Sequence, residues 1–476
     1  MSGRPTGRVD MTDGAITPKL VTLAWPLVVG NLLQTFYNLA DMFWVGRVGT
    51  NAVAAVSLMF PTSWLFVSLA MGLTASSVAL VSQHIGAGDD RAADNVVAQT
   101  TLLTVLVGVV LAAFGYAFRS QLLTLVGAEG PVYVQALQYI EVLFISIPFT
   151  FLFFVFRAVL RGAGDTRTAM WLMVISAGMN VVLDPILILG YGPFDPMGTQ
   201  GAAVATLVAR VFAAVVGVYV LLQGDWGIRL RLDDLRPDWP VLKRLVTVGY
   251  PATIDGAARS FAAVAMAALV ARFGPVPTAA YGVGVRMMSV SWTVSGAVGQ
   301  AAATGVGQNL GAETPDRAAE VTRKATIGTL VVLFGAGGLM VLFPDVAMRI
   351  FTDDPAVVRV GAHFLEVIGP FLAFFGGLMV IQGGFRGAGN TGVAMALSFL
   401  SRWVLRIPVA ILLAYQWTLQ LGPLTLSGLS WGVNGLWWAW SISAIGSFVI
   451  GVLWFSLGTW RQGVLEDEER QPTTAD

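Results

Sequence analysis

The sequence predicts an all-α polytopic membrane protein with twelve transmembrane helices in two parallel six-helix repeats. Three observations lead there: a composition too poor in charge for a soluble chain, twelve apolar runs of membrane-crossing length, and an internal repeat at an offset of 225 residues. Of 476 residues, 56% are hydrophobic and a further 54 are glycine, where soluble proteins carry roughly 45–50% for both together. Charged residues are 12%, about half the roughly 25% of a globular domain. So little charge cannot keep a chain of this size dispersed in water. A soluble enzyme, a nucleic-acid binder and a disordered scaffold are thereby excluded. The 28 basic and 28 acidic residues cancel, so no global field draws in a polyanion. With no cysteine, disulfides and thiolate metal sites are excluded as well.

A helix needs about 20 mostly apolar residues to cross roughly 30 Å of hydrocarbon. The runs that meet this are 18–43, 53–81, 96–118, 132–158, 168–190 and 200–222, then 245–271, 278–305, 325–343, 360–384, 393–415 and 432–458. They are long and lack the alternation of barrel strands, so helices are expected. The first run is too long for a cleaved signal and leads straight into further spans. Basic residues set the orientation. With the N-terminus inside, 18 of the 28 fall at cytoplasmic ends and loops, five on the opposite side and five within spans. Both termini, including Arg4 and Arg470, are therefore expected in the cytoplasm of a cell whose inner membrane the chain spans. The mixed-charge segment 223–244 reads as a cytoplasmic linker between an N-lobe (1–222) and a C-lobe with a cytoplasmic tail (245–476).

The repeat is carried by separated landmarks. The offset puts Pro26 on Pro251, Gln83 on Gln308, Gly86 on Gly311 and Glu141 on Glu366, and it superimposes the RGAGDT loop at Arg161 on the RGAGNT loop at Arg386. Six spans per half is an even number, so the halves run parallel, and transporters place their substrate path between such repeats.

The energy source is narrowed by elimination. The three lysines precede Leu20, Arg244 and Ala325, so no Gly-Lys-Ser/Thr phosphate loop exists. His84 and His363 lie near span ends and form no HExxH pair. An ion gradient remains, and coupling to it requires ionisable groups inside the membrane, where each costs about 2.5–3.5 kcal/mol on insertion scales. Asp41 and Asp184 are such groups. Asn180 lies four residues before Asp184, on the same helical face, and Pro185 frees a backbone carbonyl. Two carboxylates, an amide and hydroxyls suit Na⁺, as hard oxygen donors, or a shuttled proton. The offset places Met266 and Val409 where the acids would recur, so coupling is expected in the N-lobe alone. In the C-lobe, Asp255 and Arg259 are spaced to pair on one helix face, which leaves Asp255 a secondary candidate. Glu141 and Glu366 are expected to anchor at the interface, and Arg286, Arg402 and Arg406 to balance charge in the C-lobe.

These residues carry a resemblance over nearly the whole chain. WPLVVGNLLQTFYNLADMFWVG in the first span, the RGAGDT and RGAGNT loops and NVVLD in the fifth span resemble the multidrug and toxic compound extrusion (MATE) family, in its prokaryotic DinF-like branch. The resemblance implies a V-shaped pair of bundles, with no cofactor beyond a coupling ion, H⁺ or Na⁺. It implies export of organic cations and amphipathic drug-like compounds by a non-enzymatic antiporter whose partners are the bilayer and small molecules rather than nucleic acid, with a monomer expected. It maps the coupling site onto Asp41, Asn180, Asp184 and Thr206, with the first three as Na⁺ ligands where Na⁺ is the ion. It also maps the substrate cavity onto Gln34 and Tyr37, and a hinge onto Pro26. Two other readings share some features. A lipid-linked oligosaccharide flippase would use the arginines of the C-lobe. An intramembrane aspartyl protease is suggested by Gly162-Ala163-Gly164-Asp165, although this motif sits at a helix end and recurs with Asn390 in place of the acid.

Overall fold

The computed structural model describes residues 8–224, 227–421 and 424–465, with the side chains of a few residues near positions 60 and 420 left aside. Arg4, Arg470, residues 225 and 226 of the expected linker and the tail from 466 onward lie outside the described residues. The first six crossings are α1 (Ile16–Val48), α2 (Thr50–Gly86), α3 (Asp90–Ala117), α5 (Gly130–Gly162), α6 (Thr166–Leu189) and α7 (Thr199–Gln223). A short α4 (Arg119–Leu125) follows α3. The second six begin with α8 (Trp239–Ala271), α9 (Pro275–Gly311) and α10 (Pro315–Leu342), followed by a short α11 (Pro344–Arg349). The next crossing is α12 (Pro355–Ile368) continued by α13 (Leu372–Gly387), and the next is α14 (Thr391–Phe399) continued by α15 (Ile407–Ala414). After a hairpin of β1 (Thr418–Leu421) and β2 (Leu424–Ser427), α16 (Val433–Ser456) is the last.

Among the described residues eleven of these crossings are long and apolar enough to span a membrane by composition. The twelfth, α9, has 37 residues but is diluted by glycine, serine and Arg286. The expected spans are thus found, most of them longer. α10 starts ten residues before the expected run because Asp316, Arg317, Glu320, Arg323 and Lys324 extend it as a charged stalk. α8 starts inside the expected linker, where Pro240 follows a cap in which Asp238 accepts from Val241 N–H at 3.4 Å; proline at a first turn loses no helical hydrogen bond. The linker's remaining part, with a 3₁₀ turn at Leu232–Leu235, is tied to α3. Asp94 accepts from Arg229 N–H (2.6 Å) and Arg231 Nε (2.9 Å), and Gln99 reaches the carbonyls of Asp234 and Arg236.

The repeat is present in backbone detail. Asp165 and Asn390 sit at the N-caps of α6 and α14, preceded by Gly164 and Gly389 at φ +90° and +85°. Only glycine adopts that conformation at no steric cost, so the glycine-rich loops serve as tight turns and the protease reading loses its motif. α2 and α9 cross where Gly86 and Gly311 meet. A Cβ on Gly86 would lie 1.9 Å from the Gln308 carbonyl oxygen, and one on Gly311 would lie 1.8 Å from that of Gln83. Around this crossing lie the hydrogen bonds between the halves. Gln83 Nε2 donates to Gly387 O (3.1 Å) and Thr304 Oγ1 to Arg161 O (3.1 Å). Two terminal segments close over it in matching positions. Met11 N–H donates to Gln308 Oε1 (2.9 Å), and Val464 N–H to Gln83 Oε1 (2.8 Å). The halves form the two arms of a V, sealed at the end where both described termini lie, and α2 and α8 carry the contact further along the helices at Gly72 against Gly249 and Ser68 against Gly256.

Candidate functional site

Near the far end, opposite the seal, α1, α5, α6 and α7 bring the acids of the N-terminal half together. Asp41 lies seven residues from the end of α1 and Asp184 five from the end of α6, depths of about 10 Å and 8 Å at 1.5 Å per residue. Asp184 is fully buried, Asn180 is 1% exposed, and Asp41 is half-buried. The two carboxylates lie within electrostatic reach of each other, an arrangement that costs heavily unless a proton or cation is shared between them. Asp41 Oδ1 is buried with no hydrogen-bond partner.

Asn180 bridges the acid to α7. Oriented to satisfy both ends of its amide, it donates to Asp184 Oδ2 (3.0 Å) while its oxygen accepts from Thr206 N–H (3.2 Å) and Thr206 Oγ1 (3.3 Å). Thr206 Oγ1 also lies 3.1 Å from the Tyr37 hydroxyl. The reverse amide orientation points its oxygen at a carboxylate, which is tolerable only with a cation or proton between them. The donor set of two carboxylates, an amide and a hydroxyl fits a hard monovalent cation as well as a proton. Gln34, one turn before Asn38, donates to Asn38 Oδ1 (3.1 Å) and leaves its own Oε1 buried and unpartnered.

The structure adds residues that the sequence did not single out. Tyr139, from α5, lies within electrostatic reach of Asp41, Asp184 and Tyr37. Arg210, buried on α7, closes the cluster from below. Its Nη1 donates to Ser176 Oγ (3.3 Å) and its guanidinium stacks 4.1 Å over the Phe153 ring and 5.7 Å from that of Tyr37. An aromatic face is a common partner for a desolvated guanidinium. Only the four-residue spacing from Thr206 to Arg210 signals that both share a face.

Pro26 sits inside α1, buried between Leu23 and Leu27, where α1 packs on α9 and the helix runs unbroken through it. In the C-terminal half, Asp255 is buried and pairs with Arg259, as its spacing predicts, and also with Arg386 at 3.2 Å. It lies apart from the N-half acids. Glu141 pairs with Arg119 (2.8 Å) and Glu366 with His363 (3.2 Å), both partly exposed. Arg286 is exposed on α9, whereas Arg402 and Arg406 lie together on a π-helical turn, Leu400–Arg406.

A family model, MatE, matches residues 26–186 and 251–412, one match in each half. The chain belongs to the MatE family. It is similar to the probable multidrug resistance protein NorM of Thermotoga maritima, 28% identical over 96% of this chain and 95% of the relative. It is also similar to the probable multidrug resistance protein YoeA of Bacillus subtilis, 31% identical over 83% of this chain and 86% of the relative. Among solved structures, a multidrug resistance MATE family transporter in an outward-facing conformation superimposes with a TM-score of 0.86 at 25% identity, covering 96% of this chain and 98% of that one. This MatE chain is a multi-pass membrane transporter, not an enzyme. The two matched blocks begin at Pro26 and Pro251, the landmarks of the 225-residue repeat.

Proposed function

We propose that this chain is a secondary active efflux antiporter that exports organic cations and amphipathic compounds in exchange for H⁺ or Na⁺ by alternating access. It works in the DinF-like manner, in the plasma membrane with both termini cytoplasmic, as two lobes (1–222 and 245–476) joined by the linker 223–244. The observation that carries the reading is the Asp41–Asp184 pair beside Asn180, Thr206 and Tyr37 in one half alone. Multidrug names among the relatives support the substrate class.

With the V open at the far end, a proton or cation from outside reaches the pair without crossing the sealed end. Its arrival removes the repulsion between the acids and frees the Asn180 amide to turn its oxygen inward. Those changes alter what the outer part of α1 packs against. Asp41 lies fifteen residues beyond Pro26, about 22 Å along the helix, so it acts on the proline only through α1 as a body. Pro26 lacks one backbone hydrogen bond, which makes a bent α1 close in energy to the straight one. Bending narrows the space around Gln34 and Tyr37 and expels the substrate.

The test is efflux from proteoliposomes with Na⁺ and pH gradients imposed separately. At least one gradient alone is expected to drive it; efflux indifferent to both would overturn the proposal. Pro26→Ala should slow export while substrate affinity stays within about threefold, and unchanged turnover would remove the hinge. The flippase reading rests on the C-half arginines, and lipid-pyrophosphate scrambling in the same vesicles would favour it.

A further inference from the structure

The C-terminal half holds a crevice that the coupling mechanism does not use; its exposed surface is apolar, with charged side chains set behind it. It lies between α8 and the α14–π turn, has a volume of about 600 Å³ and is floored by Asp255, Arg259, Ser398 and Arg402. Its rim residues Ile254, Phe399 and Val404 are each about half exposed, although all three are far from their helix ends. The crevice therefore opens sideways between helices, with Trp403 braced across it by a hydrogen bond from Nε1 to Ala258 O (3.1 Å).

The floor carries more positive than negative charge. Asp255 accepts from Arg259 Nε (3.1 Å) and Arg386 Nη2 (3.2 Å), so one carboxylate already serves two guanidinium groups. Among the described residues Arg402 donates to the Ser398 carbonyl and hydroxyl and lies 5.9 Å from the Phe375 ring, and it is within electrostatic reach of Asp255, Arg259, Arg386 and Arg406. Arg406, 7% exposed, stacks 3.4 Å over the Trp440 ring and leaves Nη2 buried without a partner. Three arginines, Arg259, Arg386 and Arg402, thus gather around one acid, with Arg406 one turn beyond Arg402.

This surplus lies deep. Arg402 is eleven residues inside α14 and its continuation from Thr391, and Asp255 is eleven residues beyond Arg244 on α8. Both distances are about 16 Å, beyond the reach of a counter-ion in bulk water. Unpaired charge at such depth is retained where it serves a ligand or pathway. The backbone agrees, because Arg402 and Arg406 are brought to one side by a π-helical stretch just before Pro408, and π turns recur at functional sites.

We infer that this crevice binds the anionic group, a phosphate or carboxylate, of an amphipathic molecule. Arg402 is the principal partner of the anion, Arg259 shares it, and the apolar walls at Ile254, Phe399 and Val404 hold its hydrophobic body. A guanidinium with free donors suits either oxyanion. The site is independent of which ion drives transport.

The probe is dodecyl phosphate, titrated calorimetrically into the purified full-length chain in a neutral detergent, with zwitterionic dodecylphosphocholine as the control. The wild type should bind the phosphate at least roughly tenfold more tightly than the control. Arg402→Gln should lose roughly tenfold in affinity, Arg402→Lys should retain most of it, and Asp184→Asn should match the wild type. Ala258→Phe fills the crevice without altering charge and should abolish binding, which keeps the test decisive if Arg402→Gln does not fold. In nanodiscs, competition by phosphatidylglycerol would assign the site to a membrane lipid, and its absence to a free amphipath. Equal affinity for both probes, or binding unchanged in Arg402→Gln and Ala258→Phe, would overturn the inference.

Discussion

The two halves share a backbone and differ in how they arrange buried charge: the N-terminal half sets two acids, Asp41 and Asp184, near each other and also buries Arg157 and Arg210, whereas the C-terminal half sets Asp255 among Arg259, Arg386 and Arg402. Gln34, beside the acidic cluster, has Arg259 as its repeat equivalent; Asp41 has Met266, and Ser176 has Ser401 with Arg402 next to it. The common features are those the fold requires: Gly86 and Gly311 at the crossing, Gly164 and Gly389 at the turns, Gln83 and Gln308 holding the terminal segments. The divergent ones are polar groups at positions that packing leaves free. Duplication thus preserves close backbone contact, where a single added carbon is ruinous, and leaves charge free to specialise.

The largest expected effect tests the shared part. Gly86→Leu and Gly311→Leu each drive a side chain into a backbone carbonyl of the other half. Neither should yield a monodisperse folded protein by size-exclusion chromatography. A folded, active Gly311→Leu would break the equivalence of the two crossings.

Next come the acids. Asp184→Asn and Asp41→Asn should reduce gradient-driven efflux to the level of empty vesicles while melting close to the wild type. Wild-type efflux in both would remove the N-half cluster from coupling. Asp255→Asn should do the opposite: breaking a buried ion pair costs about 3–5 kcal/mol, so the melting temperature falls while efflux per folded molecule persists. Loss of coupling in a folded Asp255→Asn protein would move the coupling site into the C-terminal half.

A smaller effect separates the hydroxyls. Thr206→Val and Tyr37→Phe each remove one member of the Asn180–Thr206–Tyr37 chain, at about 1 kcal/mol per hydrogen bond. The coupling ion's half-saturation in transport should rise roughly fivefold, with maximal efflux little changed. An unaltered ion dependence in both would exclude these hydroxyls.

The smallest effect concerns the linker, whose grip on α3 is only partly repeated in the C-terminal half, where Asp316, the repeat equivalent of Arg91, pairs with Arg461 at 2.9 Å. Asp234 at its 3₁₀ turn pairs with Arg91, and the hydrogen bond from that guanidinium holds its carboxyl below the ordinary range. A depressed carboxylate stabilises fully above its unfolded value near 4 and loses that contribution as pH falls through its folded value. Amide exchange across 227–238 should therefore quicken, after correction for intrinsic rates, only below about pH 4. Arg91→Ala should make it quicken at neutral pH too, by a small factor, as exposed pairs contribute little. Equal protection with and without Arg91 would leave the linker fastened by Asp94, Asn95 and Gln99.

Most of the fold was legible because membrane spans announce themselves by length and apolarity, and the twelve crossings follow the apolar runs. α9 was legible by position in the repeat as well as by composition. The hairpin at 418–427 and the short α4 and α11 were not, since nothing in their brief sequences outweighs the tertiary setting. At the site, Asp41, Asn180 and Asp184 were legible from the cost of burying charge. Tyr139 was hidden because an aromatic in a span is ordinarily packing, and Arg210 because its partners come from α5 and α6, far away in sequence. The unbalanced arginines of the C-terminal half were visible singly, but only the fold shows that Arg259, Arg386 and Arg402 converge on one carboxylate.

The matched seats of Met11 and Val464 bear on biogenesis. The segment at Gln308 is made before α1, and the one at Gln83 leaves the ribosome only after α16. A nascent chain can therefore thread all twelve crossings and still lack half of its seal. The seal between the halves is completed only after α16 has been made, by a segment that lies beyond the last crossing.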